Sequence, residues 1–228
     1  MINISRTATL TPYLLAVFED GRRHPAVIIL PGGGYVYTTP HEAAPVAAMF
    51  NTVDCQSFVL DYTTYTKDPQ VTNDMMLEEV KQSLELLKKN ADQWHIDTSR
   101  LYLCGFSAGG HLAALASNEY PDEIDRVILG YAALDLKGIP YKGEICQRWQ
   151  SSLQESRLTL SAPRLRVLSY GTPMRIPRCR SRLRMNIYTN SLKMASPVKR
   201  IFIKRANMGC RLRVVPVQNL QMRLTIIL

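Results

Sequence analysis

A short motif near the middle of the chain has the residue types of a serine nucleophile. Gly105, Ser107 and Gly109 form a G-x-S-x-G pattern directly after the apolar run Leu101–Cys104. Where this pattern joins a strand to a helix, the turn is sharp and the serine hydroxyl points outward. Glycines on both sides of the serine permit the close backbone packing that such a turn needs. The motif predicts Ser107 as the nucleophile of an acyl-transfer reaction, with a helix beginning near Ala108.

A glycine-rich stretch upstream could stabilise the charge that such a reaction develops. Gly32, Gly33 and Gly34 follow a predicted buried strand that ends at Leu30. Backbone N–H groups in such a loop can converge on one point and, with the N–H of Ala108, form an oxyanion hole. A flexible turn or a phosphate-binding loop are the alternatives. The Gly-Lys-Ser/Thr sequence of a P-loop does not follow, which argues against phosphate binding.

The remaining parts of a catalytic triad are not evident in the sequence. In this motif class an acid and then a histidine follow the serine along the chain. No histidine follows His111, and no Asp or Glu follows Glu155. Asp135 comes after a predicted strand, and we expect it to be a loop or capping residue rather than the triad acid.

The four histidines do not fit the expected order, so each is predicted to be structural or exposed. His24 precedes the first buried strand and is expected at the surface. His41 begins a predicted helix, and His95 lies before the Ser107 strand on the far side of the sheet. His111 comes one turn after Ser107 and should point along the same helix.

Apolar periodicity predicts alternating strands and helices over the first 140 residues. Short continuous apolar runs indicate strands buried on both faces, and the 3.6-residue period of Leu77, Val80, Leu84 and Leu87 indicates an amphipathic helix. The predicted strands are Pro25–Leu30, Cys55–Tyr62, Leu101–Cys104 and Asp125–Tyr131; the predicted helices are His41–Asn51, Asn73–Asn90 and Ala108–Ser117. This alternation predicts an α/β fold with a mostly parallel sheet flanked by helices.

The charge distribution divides the chain near residue 145. The net charge of +9 combines −7 over residues 1–140 with +16 over residues 141–228. We therefore predict a core at residues 1–145, which carries the oxyanion loop and the nucleophile. Residues 146–228 form a basic, acid-poor segment of uncertain structure, interpreted as the degraded remainder of the same domain, with short strands at Ile201–Ile203 and Leu212–Val217.

The composition indicates the cellular location of the protein and the kinds of partner that it binds. The start of the chain lacks a signal-peptide pattern, and no apolar run is long enough to span a membrane. Five cysteines, without a CxxC pair, favour the reducing cytoplasm. We expect no cofactor and no bound metal. The basic segment would attract phosphates, but it has no nucleic-acid motif and no interleaved aromatic residues, so nucleic acid is not the expected partner.

Several linked motifs resemble the α/β-hydrolase esterases, specifically the acetyl esterase/lipase branch that is associated with deacetylating polysaccharides such as xylan. They are Pro31–Tyr35, His41–Ala47, Phe58–Tyr62 and Ile96–Ala113. The resemblance covers about residues 1–145. It implies Ser107 as the nucleophile and Gly33, Gly34 and Ala108 as oxyanion donors through their N–H groups. The implied substrate is a small acyl or acetyl ester, such as an ester of a carbohydrate.

The last third of the chain departs from this family. Val215–Asn219 is similar to a family segment that an Asp precedes, but the place of that Asp falls at Leu212, and the later histidine is absent. We interpret this part as truncated or translated in a shifted reading frame. The alternative function is therefore a catalytically inactive derivative, or a binding-only pseudo-enzyme, that lacks the triad acid and histidine.

Overall fold

A computed structural model describes residues 1–16 and 21–133, together with the backbone of two later strands, 165–170 and 186–190. The strands are β1 (Ile2–Asn3), β2 (Thr9–Tyr13), β3 (His24–Leu30), β4 (Gln56–Asp61), β5 (Ile96–Phe106), β6 (Arg126–Gly130), β7 (Leu165–Tyr170) and β8 (Asn186–Asn190). The α-helices are α1 (Ala44–Asn51), α2 (Asn73–Lys89) and α3 (Ser107–Glu119), and a short 3₁₀ helix spans Pro40–Glu42.

The described strands form one sheet in the order β1-β2-β4-β3-β5-β6-β7-β8. The pairs from β4 through β3 and on to β8 are all parallel, whereas β1–β2 and β2–β4 are antiparallel. The predicted α/β fold with a mostly parallel sheet is thus confirmed. The antiparallel β1 and β2 were not predicted, because β2 has only a weak alternation of buried and partly buried residues.

Helices cover both faces of the sheet, and the central strand β3 records this directly. All seven of its residues are buried. Ile28 and Leu30 pack with residues of α2 and α3, whereas Val27 and Ile29 pack with residues of α1. Because successive side chains of a strand point to opposite faces, α1 lies on one face and α2 and α3 on the other. A strand enclosed in this way is a continuous apolar run in the sequence.

The predicted elements of the first 133 residues are present, with shifted ends. The predicted helix from His41 is in fact the 3₁₀ turn followed by α1, because Pro45 fits the first turn of a helix and cannot donate within it. Strand β5 begins at Ile96, five residues before the predicted start at Leu101. The first half of the strand is mostly polar, so the apolar pattern did not indicate it, and it pairs with β3 only between Ile96 and His24. Helix α2 is capped by Thr72, whose hydroxyl accepts from the Met75 N–H at 3.2 Å.

The basic segment contributes strands that the sequence did not predict. Strands β7 and β8 extend the parallel sheet beyond β6, although neither has a clear apolar period. The strands predicted at Ile201–Ile203 and Leu212–Val217, and Asp135, lie outside the described residues. The division at residue 145 stays a prediction.

Candidate active site

Ser107 lies where strand β5 passes directly into helix α3. Phe106 is the last residue of the strand and Ser107 the first of the helix, so no loop separates the two elements. Ser107 has a φ of 48°, a left-handed conformation that is uncommon for a residue other than glycine. Its carbonyl accepts a hydrogen bond from the Ala133 N–H at 3.0 Å, which ties the turn to the end of β6. Such strain is stored where the surrounding structure fixes it, and this is frequent at functional sites.

The glycines around Ser107 are required by space. A Cβ on Gly105 would lie 2.3 Å from the carbonyl oxygen of Gly109, and one on Gly109 would lie 2.1 Å from the carbonyl oxygen of Leu30. A Cβ on Gly110 would lie 2.6 Å from the Cβ of Ala132. The first turn of α3 therefore packs its backbone directly against β3 and β5. This contact places Ser107 at the carboxyl edge of the parallel sheet, where α/β proteins bind their ligands.

The glycine-rich loop after β3 lies against Ser107. A Cβ built on Gly32 would lie only 3.1 Å from the Cβ of Ser107. Gly33 and Gly34 have φ values of 134° and 62°, so both adopt conformations that favour glycine. Neither the Gly33 nor the Gly34 N–H donates a hydrogen bond to another of the described residues. Two polar N–H groups thus remain available beside the serine.

Side-chain and main-chain hydrogen bonds hold this loop from the segment that follows β4. The Tyr62 hydroxyl donates to the Pro31 carbonyl at 2.7 Å, and Tyr62 is fully buried. The Tyr65 N–H donates to the Tyr35 carbonyl at 2.8 Å, and the Thr66 hydroxyl donates to the Val36 carbonyl at 2.6 Å. The loop is therefore attached both at its start and beyond its glycines, which limits its freedom next to Ser107.

Two buried tyrosines provide a matched test of this attachment. Removing the hydroxyl in Tyr62→Phe leaves the Pro31 carbonyl without its donor, so we expect the free energy of unfolding to fall by about 1–2 kcal/mol. The Tyr102 hydroxyl is also buried but has no hydrogen-bond partner among the described residues. Tyr102→Phe should therefore be neutral or stabilising. Urea unfolding of both variants checks the contrast, and equal losses would contradict it.

Below the loop, Tyr35 and His111 form a buried pair. The Tyr35 hydroxyl lies 2.7 Å from Nδ1 of His111, and the two rings pack edge to face. Burial lowers the pKa of His111 to about 4, so the imidazole is neutral near neutral pH. Burial also raises the pKa of the Tyr35 hydroxyl well above its usual value. His111 supports the loop from inside the protein, and its Nδ1 is engaged by Tyr35.

The other three histidines lie in different surroundings. His41 is exposed in the 3₁₀ turn, and His95 lies in the turn before β5, where its carbonyl accepts from the His24 N–H at 2.8 Å. His24 was expected at the surface, and this expectation is wrong: its side chain is buried at the start of β3, with Nδ1 3.1 Å from the Asp54 carboxylate. Strand β3 begins at His24, one residue before its apolar run, and the strand pairing there encloses the imidazole ring.

The structure brings the predicted residues Ser107, Ala108, Gly33 and Gly34 into one region. Sequence reasoning missed three residues that support them: Tyr35, Tyr62 and Glu42, whose Oε2 accepts a hydrogen bond from the Gly32 N–H. Their only signal was membership in segments that resemble the esterases, because no spacing rule connects them to Ser107.

Within the described ranges, no three His, Cys, Asp or Glu side chains are grouped so that they could hold a metal ion. No helix in the same ranges is long and apolar enough to cross a membrane.

Two curated proteins match part of the chain. Endo-1,4-beta-xylanase B of Butyrivibrio fibrisolvens is 30% identical over 115 residues, which are 50% of this chain and 18% of that protein. Acetylxylan esterase of Xylanibacter ruminicola is 29% identical over 100 residues, which are 43% of this chain and 20% of that protein. The matched region thus spans about a fifth of the length of these relatives.

The fold and the family are shown by two further comparisons. The solved structure of an alpha/beta hydrolase enzyme from a Medee basin deep-sea metagenome library has a TM-score of 0.59 and 28% identity, covering 75% of this chain and 66% of that one. The BD-FAE family model matches residues 15–136, which are more than half of the chain and include the glycine loop and Ser107. The chain therefore belongs to the BD-FAE family and has the α/β-hydrolase fold of hydrolases that include esterases.

Proposed function

We propose that this protein hydrolyses carboxylic esters of small acyl groups through an acyl-enzyme formed on Ser107. The observation that carries the proposal is the strained Ser107 at the end of β5, placed against a loop with two unengaged N–H groups. A nucleophile on a sharp strand-to-helix turn beside converging N–H donors is the arrangement that acyl transfer requires. Membership in a family of hydrolases agrees with it.

The chemistry proceeds in two halves. Ser107 Oγ attacks the ester carbonyl carbon while its proton passes to a base, and the carbonyl oxygen becomes an oxyanion. The N–H groups of Gly33, Gly34 and Ala108 stabilise this charge. The carbon–alkoxide bond then breaks, the alcohol leaves with a proton, and an acyl group remains on Ser107. Water attacks that acyl group in the second half, releasing the carboxylic acid and restoring the serine.

Acetyl esters of carbohydrates are the substrate class that we favour. The two curated relatives are named as an endo-1,4-beta-xylanase and an acetylxylan esterase. Cys55 and Cys104 are buried free thiols, and this agrees with the cytoplasmic location that we propose, because cysteines stay unpaired in that reducing compartment.

The second candidate is a catalytically inactive derivative, and a specific observation favours it. The sequence carries no histidine after His111 and no Asp or Glu after Glu155. Because Nδ1 of His111 is engaged by Tyr35 and its ring is buried, that residue is poorly placed to accept the Ser107 proton. A serine without a base loses most of its rate, on the order of 10⁴-fold or more.

Acetylation of Ser107 distinguishes the two candidates. We expect that incubation with p-nitrophenyl acetate places an acetyl group on the peptide that contains Ser107, detected by mass spectrometry after rapid acid quenching. Ser107→Ala should lose both the label and the release of nitrophenol above the buffer rate. Ser117→Ala is the matched control, because Ser117 is a buried serine on the same helix. An unlabelled wild-type Ser107, with the same nitrophenol release from Ser107→Ala, would support the inactive derivative instead.

A further inference from the structure

Glu42 makes a direct contact with the glycine loop that the proposed chemistry does not yet use. The residue ends the 3₁₀ turn that follows the loop, and its side chain is half-buried. Its Oε2 accepts a hydrogen bond from the Gly32 N–H at 2.7 Å. This length is at the short end of the range for a backbone N–H bound to a carboxylate, where such bonds are about twice as strong as neutral ones.

The same turn holds Gly32 from its other side. The Thr39 N–H donates to the Gly32 carbonyl at 2.9 Å, and the Glu42 N–H donates to the Thr39 carbonyl at 3.3 Å. Both polar backbone groups of Gly32 are therefore fixed by residues 39–42. Because Gly33 follows directly and has a φ accessible only to glycine, the direction of its N–H depends on how Gly32 is held.

The carboxylate, the loop and the nucleophile meet at one point. A Cβ on Gly32 would lie 2.9 Å from Glu42 Oε2, 2.9 Å from the Phe106 carbonyl oxygen and 3.1 Å from the Ser107 Cβ. The space that a side chain at residue 32 would need is thus enclosed by Glu42 and by the residues of the turn. A shift of Glu42 would open this contact and release the loop next to Ser107.

We propose that Glu42 is a positioning residue of the oxyanion hole, whose carboxylate fixes the Gly32 N–H so that the N–H groups of Gly33 and Gly34 face the ester carbonyl at Ser107. The proposal rests on the acyl-transfer function proposed above. Glu42 does not touch the reacting atoms; it acts through Gly32. A neutral oxygen acceptor of the same length can make the same hydrogen bond, so Gln should replace Glu42, and Ala should not.

Nuclear magnetic resonance can observe this hydrogen bond without any turnover. Pro31-Gly32 is the only Pro-Gly step in the sequence, so ¹⁵N-glycine with ¹³C-carbonyl proline selects the Gly32 amide alone. In Glu42→Ala the Gly32 proton should move upfield, and its exchange with solvent should accelerate by at least about tenfold. The amides of Gly33 and Gly34 should shift with it. Glu42→Gln should retain the wild-type exchange rate to within about threefold.

The second measurement is the rate of Ser107 acetylation. Glu42→Ala should slow the maximal rate by about 10- to 100-fold while the KM stays within about twofold, because the lost interaction acts on the oxyanion and not on the bound ester. Glu42→Gln should restore most of that rate. Glu78→Ala is the matched control, since Glu78 is an exposed glutamate on α2. Thermal unfolding of each variant establishes that it is folded.

The outcomes separate this proposal from the one on which it rests. An unchanged Gly32 amide in Glu42→Ala overturns it, as does an unchanged acetylation rate in that variant or the failure of Gln to restore the amide. If the wild-type protein does not acetylate Ser107, the serine mechanism fails. The positioning role is then tested only by the amide signals of Gly33 and Gly34. A response of those amides to Ala but not to Gln then upholds it.

Discussion

Adding one methyl group at Gly109 is expected to destabilise the protein by about 3 kcal/mol. Gly109 lies inside helix α3, where replacing glycine by alanine normally stabilises a helix by about 1 kcal/mol. In this fold the new Cβ would lie 2.1 Å from the Leu30 carbonyl oxygen and 2.5 Å from that of Pro31. Both are backbone atoms at the end of the buried strand β3, so neither can rotate away. The overlap should therefore reverse the sign that helix propensity predicts.

Two other glycines grade this effect in urea unfolding experiments. Gly110→Ala meets the Ala132 Cβ at 2.6 Å and the Gly105 carbonyl oxygen at 2.9 Å, and it should cost less than Gly109→Ala. Gly21→Ala has no atom within 4 Å of the new Cβ, so only its φ of 67° opposes the change, at about 1 kcal/mol. A Gly109→Ala protein as stable as the wild type would mean that α3 does not pack against β3 in this way.

The glycine positions show why part of the site could be predicted from the sequence. The G-x-S-x-G spacing encodes a turn that only small residues permit, and the overlaps at Gly105 and Gly109 give the physical reason. The glycine loop could be predicted for a similar reason, because Gly33 and Gly34 adopt positive φ values that favour glycine, and a Cβ on Gly32 would overlap its neighbours. Likewise, the buried parallel strands β3 and β6 are continuous apolar runs, so local composition was sufficient to predict them.

The supporting residues could not be predicted, because their roles arise only from tertiary contacts. Tyr62 reaches Pro31 from the end of a different strand, and Tyr35 reaches His111 across 76 residues of sequence. His24 shows the same limit: it precedes an apolar run, but strand pairing with β5 extends past that run and buries it. Strands β7 and β8 have no apolar period of their own, and they are defined by pairing: β7 pairs with β6, and β8 pairs with β7.

Acidification should weaken the protein through His111. An unfolded histidine has a pKa of 6.5, whereas burial lowers the folded pKa to about 4, so below 6.5 the unfolded chain binds a proton that the folded chain refuses. This contribution of His111 to the free energy of unfolding is fully present above pH 6.5 and is lost as the pH falls toward about 4. Below about pH 4 it changes no further. A difference of this size corresponds to about 3 kcal/mol.

His111→Gln isolates this contribution, because glutamine can bind the Tyr35 hydroxyl but does not titrate. Its free energy of unfolding should fall less than that of the wild type between about pH 7 and about pH 4, by about 3 kcal/mol. The matched control is His95→Asn, since Asn tolerates the φ of 50° at that position. It removes a histidine that lies outside the buried Tyr35–His111 pair. Parallel stability curves for the wild type and His111→Gln would show that His111 ionises freely in the folded protein, and the buried Tyr35–His111 contact would then be wrong.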